Sequence, residues 1–116
     1  MEIIKKQLIL PKNEYYVKHL SIVNVFLPKK LTPKEIEVVA SFMSLEGDIA
    51  VDRFGTSARR IVMQGLNLSP GGLGNYMDSL QKKGFITKQD GGFTILPILH
   101  PMNDQQGYMF NLLKKK

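Results

Sequence analysis

The residue types that most often perform chemistry in proteins are scarce in this sequence. The chain has no cysteine and only two histidines, His19 and His100. Neither histidine has an acid or a second histidine at the spacing of a metal site or a catalytic triad. Glu46, Asp48 and Asp52 lie close together, but their spacing is not that of a calcium loop, and we expect a solvated loop there. The sequence predicts no enzymatic activity and no metal site.

A glycine-rich stretch, Pro70–Gly74, is the nearest approach to a phosphate-binding loop. It lacks the lysine that such a loop places after its last glycine, so it is better explained as the start of a helix. We therefore expect no cofactor.

The composition is that of one globular domain with a basic excess. The chain has 116 residues, 43% of them hydrophobic, and a net charge of +6, which favours a polyanionic partner. Six lysines against two acids lie in residues 1–30, and four lysines against two acids in residues 85–116, whereas residues 31–84 are neutral. The basic excess is thus expected in the two ends of the chain.

Targeting signals are not evident in the sequence. No apolar run approaches the roughly 20 residues that span a bilayer, and the first ten residues lack the layout of a secretory signal. We expect a cytoplasmic protein that does not enter a membrane, or a virion component if the chain is encoded by a phage.

The centre of the chain predicts two helices joined by a tight turn. Asn67-Leu68-Ser69 is the expected turn; Ser69 suits a helix N-cap and Pro70 the first helical position. Gly84, which follows two lysines, is expected to end the second helix. The apolar faces are Ala58, Ile61, Val62 and Leu66 in the first helix, and Leu73, Tyr76, Met77 and Leu80 in the second.

A hairpin is expected directly after the second helix. Phe85–Lys88 and Phe93–Leu96 resemble strands, and Asp90-Gly91-Gly92 supplies turn residues between them. Before the two helices, Leu31–Glu35 predicts a helix start with a capping box, and Gly47 its end.

The two ends of the chain leave alternatives open. Ile3–Leu10 is expected to form a strand or an ordered arm. Glu14–Leu27 is expected to be a helix, whose apolar stripe belongs either to a dimer interface or to the core of the same chain. Tyr108–Leu113 is expected to be a last strand, pairing with the hairpin or with the N-terminal strand. Lys114–Lys116 is either a solvated tail or a source of nonspecific attraction to phosphates.

The central pattern resembles the winged helix-turn-helix of bacterial transcription regulators of the MarR type. The resemblance rests on Leu68-Ser69 and on Leu80–Ile86, which reads L-x-x-K-G-F-I; the helix start at Leu31–Glu35 also resembles that of MarR-type and LuxR-type domains. It implies an α+β fold, mainly α with a small antiparallel sheet. Residues 31–96 would be the winged helix, residues 1–30 an arm and a helix that can dimerise, and residues 97–116 a strand and a basic tail.

The resemblance implies a DNA-binding regulator that binds double-stranded DNA as a homodimer. Its second helix would lie in the major groove, where Asn75 could read an adenine and Ser69 could hold a phosphate. Arg53 is a further candidate for a contact with the phosphate backbone of the DNA. The expected DNA contacts are Arg59, Arg60, Ser69, Gly71, Gly72, Asn75, Ser79, Lys82, Lys83 and Lys88.

One departure from the family pattern keeps a second function open. The first turns of the reading helix contain no cation but three glycines, Gly71, Gly72 and Gly74, each costing about 0.8–1 kcal/mol relative to alanine in a helix interior. Very close approach of a partner would offset that cost. The partner would be DNA or, in the alternative, a protein of a larger replication, transcription or phage-particle assembly in which this chain is a docking subunit.

Overall fold

The computed structural model describes residues 6–89 and 92–115. Within them the chain is mainly helical with one two-stranded antiparallel sheet, which confirms the predicted α+β class. The helices are α1 (Lys12–Asn24), α2 (Pro33–Met43), α3 (Asp48–Val51), α4 (Thr56–Leu66) and α5 (Pro70–Lys82); the strands are β1 (Ile86–Gln89) and β2 (Gly92–Ile95), followed by a 3₁₀ turn at Pro97–Leu99.

Helix α2 is the centre of the core. The Thr32 side chain accepts from the Glu35 backbone N–H while the Glu35 carboxylate accepts from the Thr32 N–H, so the predicted capping box is present. Most of the helix is buried, with Val38 and Ala40 fully inaccessible to solvent. It packs against α1, α4 and α5, and this all-round burial explains why its apolar residues cover more than one face.

The turn between α4 and α5 follows from its residues. Asn67 adopts the left-handed conformation (φ 54°), and the Leu68 N–H bonds to the Met63 carbonyl at 2.9 Å, which together close α4 in a Schellman motif. Ser69 then starts α5 by accepting the Gly72 N–H at 3.0 Å. Helix α5 ends in the same motif, with Gly84 at φ 81°.

The apolar face predicted for α4 was wrong at one position. Ala58 and Val62 are fully buried and Leu66 packs against the core, but the Ile61 residue is 40% exposed. Residues 58, 62 and 66 repeat every four positions and form the inward row; Ile61 lies at the edge of that row.

The hairpin formed as predicted and is anchored at its base. Ile86 pairs with Ile95, and both are buried, as is Phe85, whose carbonyl accepts the Leu96 N–H at 2.8 Å. The strand bounds differ from the prediction by one residue: β1 ends at Gln89 and not at Lys88, and Gly92, predicted as a turn residue, is the first residue of β2. The other two predicted turn residues, Asp90 and Gly91, lie outside the described residues.

Helix α1 resolves one of the alternatives left by the sequence. Leu20 is fully buried, and Tyr16, Val17 and Val23 pack against the core of the same chain, mainly on α2. The apolar stripe of residues 14–27 is therefore intramolecular core.

Within the described residues, no strand forms at either end of the chain, where a strand or an ordered arm was expected over Ile3–Leu10 and a last strand over Tyr108–Leu113. Residues 6–10 have no regular structure, and Ile3–Lys5 lie outside the described residues. Tyr108–Leu113 is not a strand either. Its aromatic rings pack on α1 and on the turn that follows it: Tyr108 bonds to His19 of α1, and Phe110 stacks on Phe26, two residues beyond the helix, at 4.9 Å. A helix offers no backbone edge with which a strand can pair.

Two smaller differences concern the loops. The connection expected over residues 46–55 contains the single helical turn α3 after Gly47, which has φ 69°. Lys114 and Lys115 are exposed, and Lys116 lies outside the described residues.

Candidate nucleic-acid interface

Helix α5 has one buried face and one exposed stripe. Leu73, Met77 and Leu80 are buried, and each is at most 3% exposed. On the opposite side, the exposed residues recur at the spacing of one helix face, i, i+4, i+7 and i+11: Gly71, Asn75, Asp78 and Lys82. The stripe offers one amide, one carboxylate and one cation to a partner.

Two of the three glycines at the start of α5 are not required by the fold. Apart from its chain neighbours and the adjacent backbone of α5 itself, a methyl group added at Gly71 or Gly74 would meet no described atom within 4 Å, and neither residue has a positive φ. Gly72 differs, because a Cβ there would lie 3.2 Å from the Ser69 hydroxyl that caps the helix. Positions 71 and 74 therefore leave the α5 backbone open to close approach from outside.

Glu35 binds the side chains of two residues that the sequence predicted to contact DNA. Its carboxylate, 2% exposed, accepts from the Ser79 hydroxyl at 2.7 Å and from the Lys83 ammonium at 2.6 Å. Lys83 also donates to the Lys30 carbonyl at 3.0 Å. Ser79 and Lys83 thus join α5 to the start of α2, and their polar groups are engaged within the chain.

The same contacts set the pKa of the Glu35 carboxyl. Burial alone would raise it, because a charged carboxylate is poorly solvated in the interior. Hydrogen bonds from Lys83, from the Thr32 N–H and from Ser79, with the charge of Lys83, outweigh burial and hold the pKa of Glu35 below its ordinary value.

Two of the three arginines are also engaged within the chain. The Arg59 Nε donates to the Phe54 carbonyl at 2.8 Å, and its guanidinium lies 5.6 Å from the centre of the Phe93 ring on the hairpin. Arg53 donates to the carbonyls of Phe42 and Met43 at 2.7 and 3.1 Å, where α2 ends. Arg60 is exposed.

The ten predicted contacts therefore separate into two groups. The exposed group can meet a partner: Arg60, Gly71, Asn75, Lys82 and Lys88. The other group has a role inside the chain or is half-buried: Arg59, Ser69, Gly72, Ser79 and Lys83. The spacing of Ser79 and Lys83, four residues apart on one helix face, was the available signal that both meet one acceptor.

Both histidines have a structural setting. His19 is buried; one ring nitrogen bonds to the Tyr108 hydroxyl and the other, at 3.1 Å, to the Leu99 carbonyl. Burial lowers the pKa of His19, and burial together with the charge of Arg53 lowers that of His100. Across the described residues there is no group of three or more His, Cys, Asp or Glu residues placed to hold a metal ion.

No helix in residues 6–89 and 92–115 combines the length and the apolar character needed to cross a bilayer.

Comparisons with protein-family models, with curated proteins and with solved structures find no match to this chain. The functional argument accordingly depends on the geometry of the chain itself.

Proposed function

We propose that this chain is a sequence-specific DNA-binding protein without enzymatic activity, a regulator of transcription that places α5 in the major groove of double-stranded DNA. The observation that carries the proposal is the outward stripe of α5, which follows a tight turn from α4 and precedes a two-stranded hairpin. That order of elements is the one in which winged helix-turn-helix proteins present a reading helix. A cytoplasmic location is part of the proposal.

Asn75 is the proposed reader of a base. It is exposed in the second turn of α5, and a side-chain amide can make two hydrogen bonds to the edge of adenine in the major groove. Gly71 and Gly74 flank it with a bare backbone, which lets the helix approach the groove floor more closely than larger residues would.

Three exposed cations supply the proposed backbone contacts. Arg60 lies on α4, Lys82 in the last turn of α5 and Lys88 on β1. Contacts of this kind position a protein on the duplex and make its affinity depend on salt.

The second candidate is a protein-docking subunit of a larger assembly. Residues 70–81 contain no cation, and Asp78 places a carboxylate in the middle of the outward stripe, where it would repel phosphates. A small, weakly charged helix face that tolerates close packing also suits a protein surface.

Binding of the full chain to a random-sequence duplex, titrated with salt, tests the first candidate. We expect affinity to fall steeply with salt, and each of Arg60→Ala, Lys82→Ala and Lys88→Ala to reduce the slope of log K against log salt by about 0.9. Lys18→Ala removes one exposed charge from α1, which packs mainly on α2, and should leave the slope unchanged.

Substitution of Asn75 tests sequence-specific binding apart from nonspecific binding. Once a preferred site has been selected from random duplexes, Asn75→Ala should cost about 1–3 kcal/mol at one base pair and leave the salt slope unchanged. Absence of binding at low salt would contradict the DNA proposal and favour the docking subunit.

A further inference from the structure

The segment that follows the hairpin runs along α1 in the direction of the helix. The Tyr15 hydroxyl, in the first turns of α1, donates to the Asn103 carbonyl at 2.8 Å. Phe110, further along the segment, stacks on Phe26 just beyond the other end of the helix. Residues 25–26 and 108–113, which are distant in the sequence, therefore form one surface.

This surface is largely apolar and open to solvent. Six large apolar residues around the stacked pair are each more than half exposed: Val25, Phe26, Met109, Phe110, Leu112 and Leu113. These six residues are called the apolar patch below. Contiguous apolar residues with this exposure indicate a surface that contacts another body.

The net charge of the chain lies in the same two segments. Residues 15–30 and 105–116 carry six lysines and no acid, whereas the rest of the chain has ten basic and ten acidic residues. The Lys30 ammonium donates to the Val25 carbonyl at 2.7 Å, which holds one cation beside the apolar patch. Lys29, Lys114 and Lys115 are exposed and adjoin the patch in the sequence.

The acids of the neighbouring elements do not cancel this charge. Glu14 lies in the first turn of α1 and Asp104 beside Tyr15, both toward the start of a helix whose 13 residues span about 20 Å. At the start of α2, the Glu35 carboxylate is bonded to Lys83. Glu37, one residue further on, is bonded to Lys34. The end of α1 therefore presents exposed apolar side chains in a positive surround.

An anionic lipid surface fits this combination better than nucleic acid or a second copy of the chain. Four of the six patch residues are aliphatic and cannot stack on a base, and Asn111 is the only residue of 109–113 with a polar side chain. Two copies that met through the patch would bring lysines against lysines. Aliphatic and aromatic side chains flanked by lysines are the composition of segments that adsorb to anionic bilayers.

We propose that the apolar patch adsorbs to the surface of an anionic lipid bilayer, with its side chains at the level of the headgroups and its lysines on the lipid phosphates. Adsorption of this kind needs no spanning helix. Stable attachment takes an apolar and an electrostatic contribution together, so the loss of either should release the chain. The sequence alone does not predict this contact, because folding brings the two segments together. The inference goes beyond the proposed function and does not depend on DNA binding.

Sedimentation of the full chain with lipid vesicles tests the proposal. We expect binding to vesicles of equal parts phosphatidylglycerol and phosphatidylcholine to be at least about tenfold stronger than to phosphatidylcholine alone. Leu112→Ser with Leu113→Ser should weaken binding to the anionic vesicles at least about tenfold. Leu8→Ser with Ile9→Ser, two exposed apolar residues beside the start of α1, should not. No binding to anionic vesicles, equal binding to both kinds, or equal losses in the two double variants would overturn the proposal.

Substitution of lysines separates the charge beside the patch from the net charge of the chain. Lys114→Gln with Lys115→Gln and Lys82→Gln with Lys88→Gln lower the net charge equally, and all four lysines are exposed. We expect only the first pair to weaken binding to the anionic vesicles, by at least about tenfold. Equal weakening by the two pairs would show attraction by net charge alone and would overturn the assignment to the patch.

Tryptophan fluorescence locates the contact, because the natural chain has no tryptophan. Leu113→Trp places the probe in the patch, and Val51→Trp places it at a position of similar exposure on α3. We expect anionic vesicles with brominated acyl chains to quench the emission of Leu113→Trp at least about twofold and to leave that of Val51→Trp unchanged. Equal quenching at the two positions would overturn the proposal.

A single-stranded oligonucleotide of mixed sequence is the competing ligand in these experiments. We expect Leu112→Ser with Leu113→Ser to leave any binding of the oligonucleotide unchanged, because aliphatic side chains offer no stacking surface to a base. A chain that binds the oligonucleotide only when both leucines are present, and that does not sediment with vesicles, would assign the patch to nucleic acid and overturn the proposal.

Discussion

The Lys83 ammonium, at the end of α5, lies 2.6 Å from the carboxylate of Glu35, in the first turn of α2. The contact joins the proposed reading helix to the helix at the centre of the core. The Glu35 side chain is 2% exposed and that of Lys83 is 27% exposed, so the pair is shielded from solvent on one side. The orientation of α5 therefore depends on a charged contact as well as on its apolar face.

Removing the cation of this pair should destabilise the fold. Lys83→Met leaves the buried Glu35 carboxylate without its charged partner, and we expect the free energy of unfolding to fall by about 2 kcal/mol, less than the 3–5 of a fully buried pair because Lys83 is partly exposed. Urea unfolding of the full chain measures this.

Lys34→Met is the matched control for that variant. Lys34 pairs with Glu37 at 3.1 Å, but both side chains are more than a third exposed, so its loss should change stability by less than about 0.5 kcal/mol. Equal effects of the two variants would contradict a special role for the Lys83–Glu35 pair.

Stability should decline in acid through Glu35. The pKa of Glu35 is lower in the folded chain than its ordinary value, so the unfolded chain takes up the proton first as the pH falls. The stabilisation is fully present above the ordinary glutamate pKa and is lost as the pH falls through the lower folded value. Glu35→Gln should be less stable than the natural chain at neutral pH and should show a shallower decline in this acid range. A decline of unchanged steepness would show that other carboxyls cause it.

Much of the fold follows from local signals in the sequence. The capping box at Thr32, the turn through Asn67 and the stop at Gly84 depend on residues within five positions of one another. The missing C-terminal strand did not follow from such signals, because a strand forms only where an edge is available, and Tyr108 met the buried His19 instead.

The candidate site was less predictable than the fold, because several of its residues depend on contacts between parts of the chain that are distant in sequence. The outward stripe of α5 follows from helical spacing, and Asn75 and Lys82 are exposed as expected. The internal roles of Arg59 and Lys83 depend on Phe54, Phe93 and Glu35, which packing brings to them. A basic residue taken by itself carries no mark that separates a solvent-exposed cation from one bonded within the chain; for Lys83 the only signal in the sequence was its four-residue spacing from Ser79.

The neighbouring arginines of α4 should have opposite effects on stability and on DNA binding. Arg59→Ala removes a hydrogen bond to the Phe54 carbonyl and the contact with the Phe93 ring, and should lower the free energy of unfolding by about 1–2 kcal/mol. Arg60→Ala should change stability by less than about 0.5 kcal/mol and instead reduce the salt dependence of DNA binding. Urea unfolding and salt titration of both variants make the comparison; a reversal of the two patterns would contradict these roles.

Substitution of Gly71 and Gly74 by alanine should raise the stability of the fold and lower the affinity for DNA. Both positions are helical and have room for a methyl group, so each substitution should stabilise the chain by up to about 1 kcal/mol. If a partner approaches the bare backbone of α5, the added methyl groups lie in the contact, and affinity for the selected DNA site should fall at least about tenfold. Gly65→Ala, equally open but on α4, should stabilise the chain without weakening binding, which separates the effect of the contact from that of a stiffer helix. Stabilised variants at 71 and 74 that bind as tightly as the natural chain would show that the glycines serve neither the fold nor the interface.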